Sequence, residues 1–270
     1  MRRNGAGFFP ARAGARSFAA LILIAAGLPL ASHAQALSTA VPWSDARQLV
    51  LVITPEWNAS TGTLRTFSRS EDGWESATTA LPVVIGRAGA AWGGGLHPSQ
   101  ATGPRKQEGD GRSPAGVFTL GVAFGYANSA DSRLPYAPMD ANDYCIDVTG
   151  SPLYNQIVDA GDVGADAVAG STEPMRRDLH LDGDQLYKLG FVIEHNPGNE
   201  AGLGSCIFAH LWKAADAATT GCTAMAEADM QKLLAWLIPD ADPVFVLLPQ
   251  QQYDRLQIAW NLPRFTGEPL

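Results

Sequence analysis

The chain has 270 residues, 46% of them hydrophobic and 17% charged, and a formal net charge of −8. This is ample for a globular core. The acidic balance argues against nucleic acid as a partner and against binding to an anionic membrane surface.

The first 36 residues differ from the rest. Arg2, Arg3, Arg12 and Arg16 form a basic start, and Phe18 to Leu30 is an apolar run of 13 residues. Ser32-His33-Ala34 and Ala34-Gln35-Ala36 are small-x-small cleavage sites. The pattern predicts a secretory signal peptide over residues 1–36, and so an exported protein of the periplasm or cell envelope. An uncleaved anchor is the competing reading, but 13 residues are short for a membrane span. Cleavage removes four arginines and no acids, which takes the net charge from −8 to −12. Residues 37–270 are expected to form a single domain.

The chain continues with short apolar runs. Leu49 to Thr54 predicts a strand buried on both faces. Thr61-Gly62 turns into a second strand, Thr63 to Ser68, and Glu71-Asp72-Gly73 into a third near Trp74 to Thr78. Leu81 to Ile85 is a fourth. Closely spaced strands with turn residues between them predict a mainly β domain, a sandwich or barrel.

Gly86 to Gly103 is glycine-rich but lacks the Gly-Lys-Ser/Thr of a phosphate-binding loop, so a flexible surface loop is expected. His97 and His180 fall in polar stretches and are expected at the surface. Lys106 to Gly121 leads through Asp110-Gly111 and Ser113-Pro114 into a strand at Val117 to Leu120. Tyr144 to Val148 is a short strand. Residues 159–185, polar and rich in Gly and Ala, predict a surface excursion with a helical turn around Pro174 to Asp178. Leu189 to His195 is a strand, and His195 and Asn196 at its end are candidate substrate contacts. Val244 to Leu248 is a last buried strand.

The stretch from Gly204 to Leu237 carries the chemistry. Ser205 to His210 alternates with period two and predicts a strand. Met230, Leu233, Leu234 and Leu237 recur at helical spacing, with Glu227 and Asp229 in the first turn and Pro239 as the stop. Cys222 therefore falls just ahead of a helix, with His210 twelve positions upstream. Both features favour a thiolate, which makes Cys222 a candidate nucleophile and His210 its base. The N–H groups of Gly221 and Cys222 are candidate oxyanion donors, and Thr220 is a third candidate substrate contact. Zinc held by Cys206, His210 and Cys222 is the competing chemistry. On a strand, Cys206 and His210 lie about 13 Å apart at ~3.3 Å per residue, too far to share an ion. Three cysteines in an exported protein leave at least one unpaired. Either all three are buried and free, or Cys145 pairs with Cys206 and leaves Cys222 as a thiol.

The run GSCIFAH…TTGCTAM resembles the His, spacer, Ser/Thr-x-Gly-Cys signature of the L,D-transpeptidase catalytic domain, the YkuD-like family. KQEGDGRSPAGVFTLG is similar to that family's Gly-Asp-Gly-x-Ser/Thr-Pro-x-Gly-x-Phe segment, and DYCIDVTGSPLYN, LYKLGFVIEHN and LLAWLIPDADPVFVLL extend the likeness over about residues 100–250. The resemblance implies a β-sandwich-like domain with a helix after the catalytic cysteine. It implies a cysteine transpeptidase acting on peptidoglycan stem peptides, in cell wall biogenesis and cell shape, with neither metal nor organic cofactor. Cys222 would be the nucleophile, His210 the base, and Gly221 an oxyanion donor. The chain departs from the best-known members at Thr220, where they carry His, and at Ala224, where they carry Arg. Transfer to an amine and hydrolysis by water therefore both stay open, as does a silent wall-binding domain. Lys106, Arg112, Arg176 and Arg177 are the cations that could compensate for the missing charge.

Overall fold

The computed structural model describes residues 41–264. The expected signal peptide lies outside the described residues. Strands β1 (Gln48–Thr54), β2 (Thr61–Ser70), β3 (Gly73–Ser76) and β4 (Leu81–Val84) follow the early apolar runs. β5 (Ala90–Trp92) precedes the long β6 (Ser113–Gly125), and β7 (Tyr136–Pro138) follows it. Next come β8 (Asp143–Cys145), β9 (Ile157–Asp159), α1 (Ala160–Val163), α2 (Ala165–Val168), β10 (Glu173–Pro174) and α3 (Arg177–His180). The last part holds β11 (Leu189–Ile193), β12 (Phe208–Leu211), β13 (Thr223–Met225), α4 (Glu227–Trp236), β14 (Val244–Pro249) and α5 (Gln250–Leu256).

The main sheet runs β1-β14-β6-β11-β12-β13-β4-β2, and β2 also pairs with β1. Eight strands thus close on themselves. The mainly β expectation holds, and of the sandwich or barrel expected the structure shows a closed barrel. The long β2 bridges β1 and β4, so one sheet closes where two separate sheets would leave edges. β1 shows why closure is stable here: all seven of its residues are buried, as expected for a continuous apolar run between two neighbours. Its side chains pack with Phe118, Phe191, Phe245 and Leu234 in one core.

A second, three-stranded sheet, β10-β8-β9, lies outside this barrel. It is fastened to the barrel by a Cys145–Cys206 disulfide. The side chain of Asn155 adds polar links. Its Nδ2 donates to the carbonyls of His195 and Asn196, and its Oδ1 accepts from the N–H of Cys206. The excursion is therefore folded back onto the barrel.

Two expectations about residues 86–103 are corrected. β5 pairs in parallel with β6, and Ala90, Ala91 and Trp92 are buried. His97 is buried too: its Nδ1 accepts from the N–H of Val117, and its ring packs against Phe118 and Trp260. Glycine makes this approach possible. A Cβ on Gly116, at φ +140°, would lie 1.9 Å from His97 Cε1. His180 is exposed, as expected.

Candidate active site

β12 and β13 build the site. They pair in parallel with His210 opposite Ala224 and Ala209 opposite Thr223. Side chains alternate along a strand, so Phe208 and His210 share a face with Cys222 and Ala224. This register brings the expected nucleophile and base to one cavity, of about 190 Å³, which Tyr187, Arg177 and Trp212 also line.

The thiol is held from several sides. Its Sγ accepts from the Phe208 N–H at 3.3 Å and lies 3.5 Å from the Cys206 carbonyl, to which it donates. The Cys222 carbonyl accepts from Ser113 Oγ at 2.9 Å and from Thr219 Oγ1 at 2.6 Å. Ser113 Oγ also accepts from the Gly86 N–H. Two hydroxyls, one from the distant Ser113 and one from Thr219 three residues before the cysteine, therefore lock the turn that presents Cys222. Ser113 belongs to the RSPAGVF stretch, which gives that stretch a mechanical part in the site.

His210 is buried. Its Nδ1 lies 2.7 Å from the Leu211 carbonyl. A carbonyl only accepts, so Nδ1 carries the proton and Nε2 keeps its lone pair. The Tyr187 ring meets the imidazole edge-on, with centroids 5.2 Å apart. This arrangement leaves one basic nitrogen on a ring fixed in orientation.

The expected low thiol pKa is corrected. A strand, β13, follows Cys222, and the helix begins only at Glu227, so no helix N-terminus faces the sulfur. Burial pushes the Cys222 thiol up to about 12, and the nearby Glu173 charge acts in the same direction. Burial also pulls His210 down to about 4. The resting pair is a neutral thiol beside a neutral imidazole. Nucleophilic attack from such a pair requires the proton to move as the carbon–sulfur bond forms.

A second cavity, of about 270 Å³, also reaches Cys222. Arg87, Glu108, Asp147, Gly221 and Ser205 line it, and Glu173, Thr220 and Cys222 line both cavities. Gly221 is thus at the site, with its N–H donating to Thr219 Oγ1 at 3.2 Å. His195 and Asn196 line neither cavity. They hold the loop ahead of β12 instead: His195 Nε2 contacts the Leu203 carbonyl, and Asn196 Nδ2 donates to the carbonyls of Glu200 and Gly204.

The polar residues around Cys222 were less visible in the sequence. Glu173 and Arg177 come from the excursion, which composition alone marks as surface. Glu173 Oε2 accepts from Tyr187 Oη at 2.7 Å and from Arg177 Nη1 at 3.5 Å, while Arg177 Nη2 reaches Asp184 at 3.0 Å. The Arg177 guanidinium also stacks 4.8 Å from the Tyr187 ring centroid. Of the four candidate cations, Arg177 and Lys106 reach the cavities. Lys106 is paired with Asp110 at 2.7 Å. Arg112 is occupied by the carbonyls of Ala90 and Trp57 and by Asn58, and Arg176 by Asp178.

No protein-family model, curated protein or solved structure matches the chain.

Proposed function

We propose that this chain is a cysteine-dependent L,D-transpeptidase of peptidoglycan stem peptides, with the catalytic-domain fold that its sequence motifs resemble. The observation that carries the reading is the paired register of β12 and β13, which places His210 and Cys222 on one cavity with His210 Nε2 unprotonated. In the first half-reaction Sγ attacks the carbonyl before the terminal D-residue. The thiol proton passes to His210 Nε2 and from there to the leaving amine, and the stem is left as a thioester on Cys222. An amine of a second stem then displaces the sulfur. Two cavities meet at Cys222, which would give two stems separate approaches. The disulfide supports an oxidising compartment, in line with export to the periplasm or envelope.

The test is incubation of the purified mature protein with tetrapeptide muropeptides, with products resolved by mass. Cross-linked dimers, or exchange of the terminal D-residue for an added D-amino acid, are expected. Tripeptide as sole product, with abundant acceptor, would make the protein an L,D-carboxypeptidase. An unmodified Cys222 and intact substrate would leave a wall-binding domain.

A further inference from the structure

A carboxylate beside a nucleophilic thiol works against the first half-reaction. Glu173 holds that position: with Thr220 and Cys222 it forms the waist shared by both cavities. The cation paired with it is shared. Arg177 is the cation on Glu173, at 3.5 Å, and the same guanidinium also serves Asp184 at 3.0 Å. One positive charge thus faces two carboxylates. Asp147 and Glu108 add further acidic groups to the second cavity, facing Arg87 and a Lys106 that is taken by Asp110.

The side chain is also held in place. Tyr187 donates to Oε2, and Tyr187 itself is buried against His210 and Phe208. Glu173 is only about one-fifth exposed, so its carboxylate is fixed toward the waist. Nothing in the thiol chemistry explains a negative group here. The chemistry of the thioester does. Acylation removes the sulfur's negative charge, and the next reactant is an amine that arrives as a cation.

We propose that Glu173 is the acceptor-side base, binding the incoming ammonium group and taking its proton. This rests on the transpeptidase reading above. The ammonium R–NH3⁺ gives one proton to the Glu173 carboxylate and becomes R–NH2. Its nitrogen attacks the thioester carbonyl, the C–N bond forms, and the C–S bond breaks. The new amide nitrogen gives its second proton to His210 Nε2, which returns it to the departing sulfur. The proton on Glu173 leaves to solvent. Overall, ammonium and thioester become amide, thiol and one free proton. Water gains nothing from Glu173 as a cation would, so the same group favours transfer over hydrolysis. Burial raises Glu173 above the usual carboxylate range, which brings its basicity closer to that of an amine.

The experiment is E173Q, which keeps an acceptor for Tyr187 and removes the charge. Acylation of Cys222 is followed by intact mass with a tetrapeptide donor. Partition is then followed with an added D-amino acid as acceptor. E173Q is expected to acylate faster, because the charge opposing the thiolate is gone. Its ratio of transfer to hydrolysis is expected to fall about tenfold or more. E173D, which retains the charge, should keep more of the ratio than E173Q. An unchanged ratio with normal acylation overturns the role of Glu173 and leaves the transpeptidase reading intact. Equal losses of acylation and transfer also overturn it, and make Glu173 structural. If E173Q does not fold, the wild type decides through its preference between an amine protonated at the assay pH and a hydroxylamine that is not. A bias toward the cation beyond that of a free thioester is expected, and no bias overturns the proposal. Wild-type protein that never forms the acyl-enzyme overturns both readings.

Discussion

Two walls enclose Cys222, and they differ in kind. The barrel wall, β12 and β13, is buried and carries no charged side chain: Phe208, His210, Cys222 and Ala224 share its face. The outer wall comes from β10 and α3, and it carries Glu173, Arg177 and their partners Tyr187 and Asp184. Cys222 and His210 thus stand on a buried scaffold, where their geometry is set by strand pairing. Glu173 stands on the appended sheet, which one disulfide and Asn155 help to tie to the barrel, and Arg177 stands on the short helix that follows. On the function proposed above, bond-making falls to the barrel wall and recognition to the outer wall.

The contrast breaks most visibly on the barrel wall. Cys222→Ala is expected to abolish the covalent adduct with a D-terminal electrophile such as a carbapenem. His210→Ala is expected to slow adduct formation by about 10³-fold, within the range for loss of a general base. Stopped-flow or mass-resolved acylation checks both. An adduct that persists in Cys222→Ala would mean that another residue is the nucleophile.

The outer wall depends on its tether. The disulfide closes a loop of 61 residues, and cross-links of that span stabilise by about 4 kcal/mol on the chain-entropy account. The Cys145→Ser, Cys206→Ser double variant is expected to unfold at lower denaturant and to lose transfer more than simple thiol alkylation at Cys222. Denaturant titration and a small alkylating agent read the two effects. Thiol titration of the denatured, unreduced wild type should find one free thiol.

The walls also respond to acid with opposite sign. His195 and His210 are held down to about 4 by burial, against about 6.5 in an unfolded chain. The unfolded chain binds those protons first. Their contribution to stability is therefore full above about pH 6.5 and is lost as pH falls toward about 4, up to about 3 kcal/mol for each. Glu173 is raised by burial, so its contribution is present at low pH and is lost as pH rises through its folded value. Urea midpoints at pH 7.5 and 4.5 should fall with acid in the wild type, and fall further in E173Q, which lacks the compensating carboxylate. Acylation should likewise decline as pH drops through about 4, where His210 becomes protonated.

The same division explains what could be read from the chain. β1, β11, β12 and β14 announce themselves because apolar runs and period-two alternation are local signals. The strand of β13 is only three residues long, and the Gly-Cys turn before a helical pattern masks it. Closure into a barrel depends on β2 pairing with both β1 and β4, a nonlocal fact with no periodic trace. His97 looks solvated because it lies in a stretch rich in glycine and turn residues. Those glycines let β6 approach it, and this burial is set by tertiary contact. Cys222 and His210 were legible because their spacing is chemical. Glu173 was not, and Arg177 stood only as one of four candidate cations, because nothing in an acidic, Gly/Ala-rich excursion reveals that it folds back. The thiol pKa went the other way for a related reason: burial, which has no local signature, outweighs the neighbouring His.

The smallest expected effect comes from two adjacent arginines. Arg176 and Arg177 are indistinguishable in sequence, and both sit at the start of α3. Arg176 forms a bidentate pair with Asp178, at 2.8 and 2.9 Å, and stacks 4.9 Å from the Tyr126 ring centroid. It lines neither cavity at Cys222. Exposure does not separate the two arginines, since both pairs are about one-fifth exposed; Arg176 serves a single carboxylate two residues away, so Arg176→Ala should cost under about 1 kcal/mol and change kcat/KM by less than about twofold. Arg177 differs because it spans two carboxylates and the Tyr187 ring within the site. Its loss leaves Glu173 and Asp184 without their cation, at side-chain exposures near one-fifth. Arg177→Ala should therefore cost about 2 kcal/mol, less than a fully buried pair would because water still reaches these groups. It should also slow acylation, since the uncompensated Glu173 charge then bears harder on the thiolate. Chemical denaturation and acylation rates of the two single variants, measured side by side, decide the matter. Equal losses at both positions would remove the distinction between a local pair and a charge built into the outer wall.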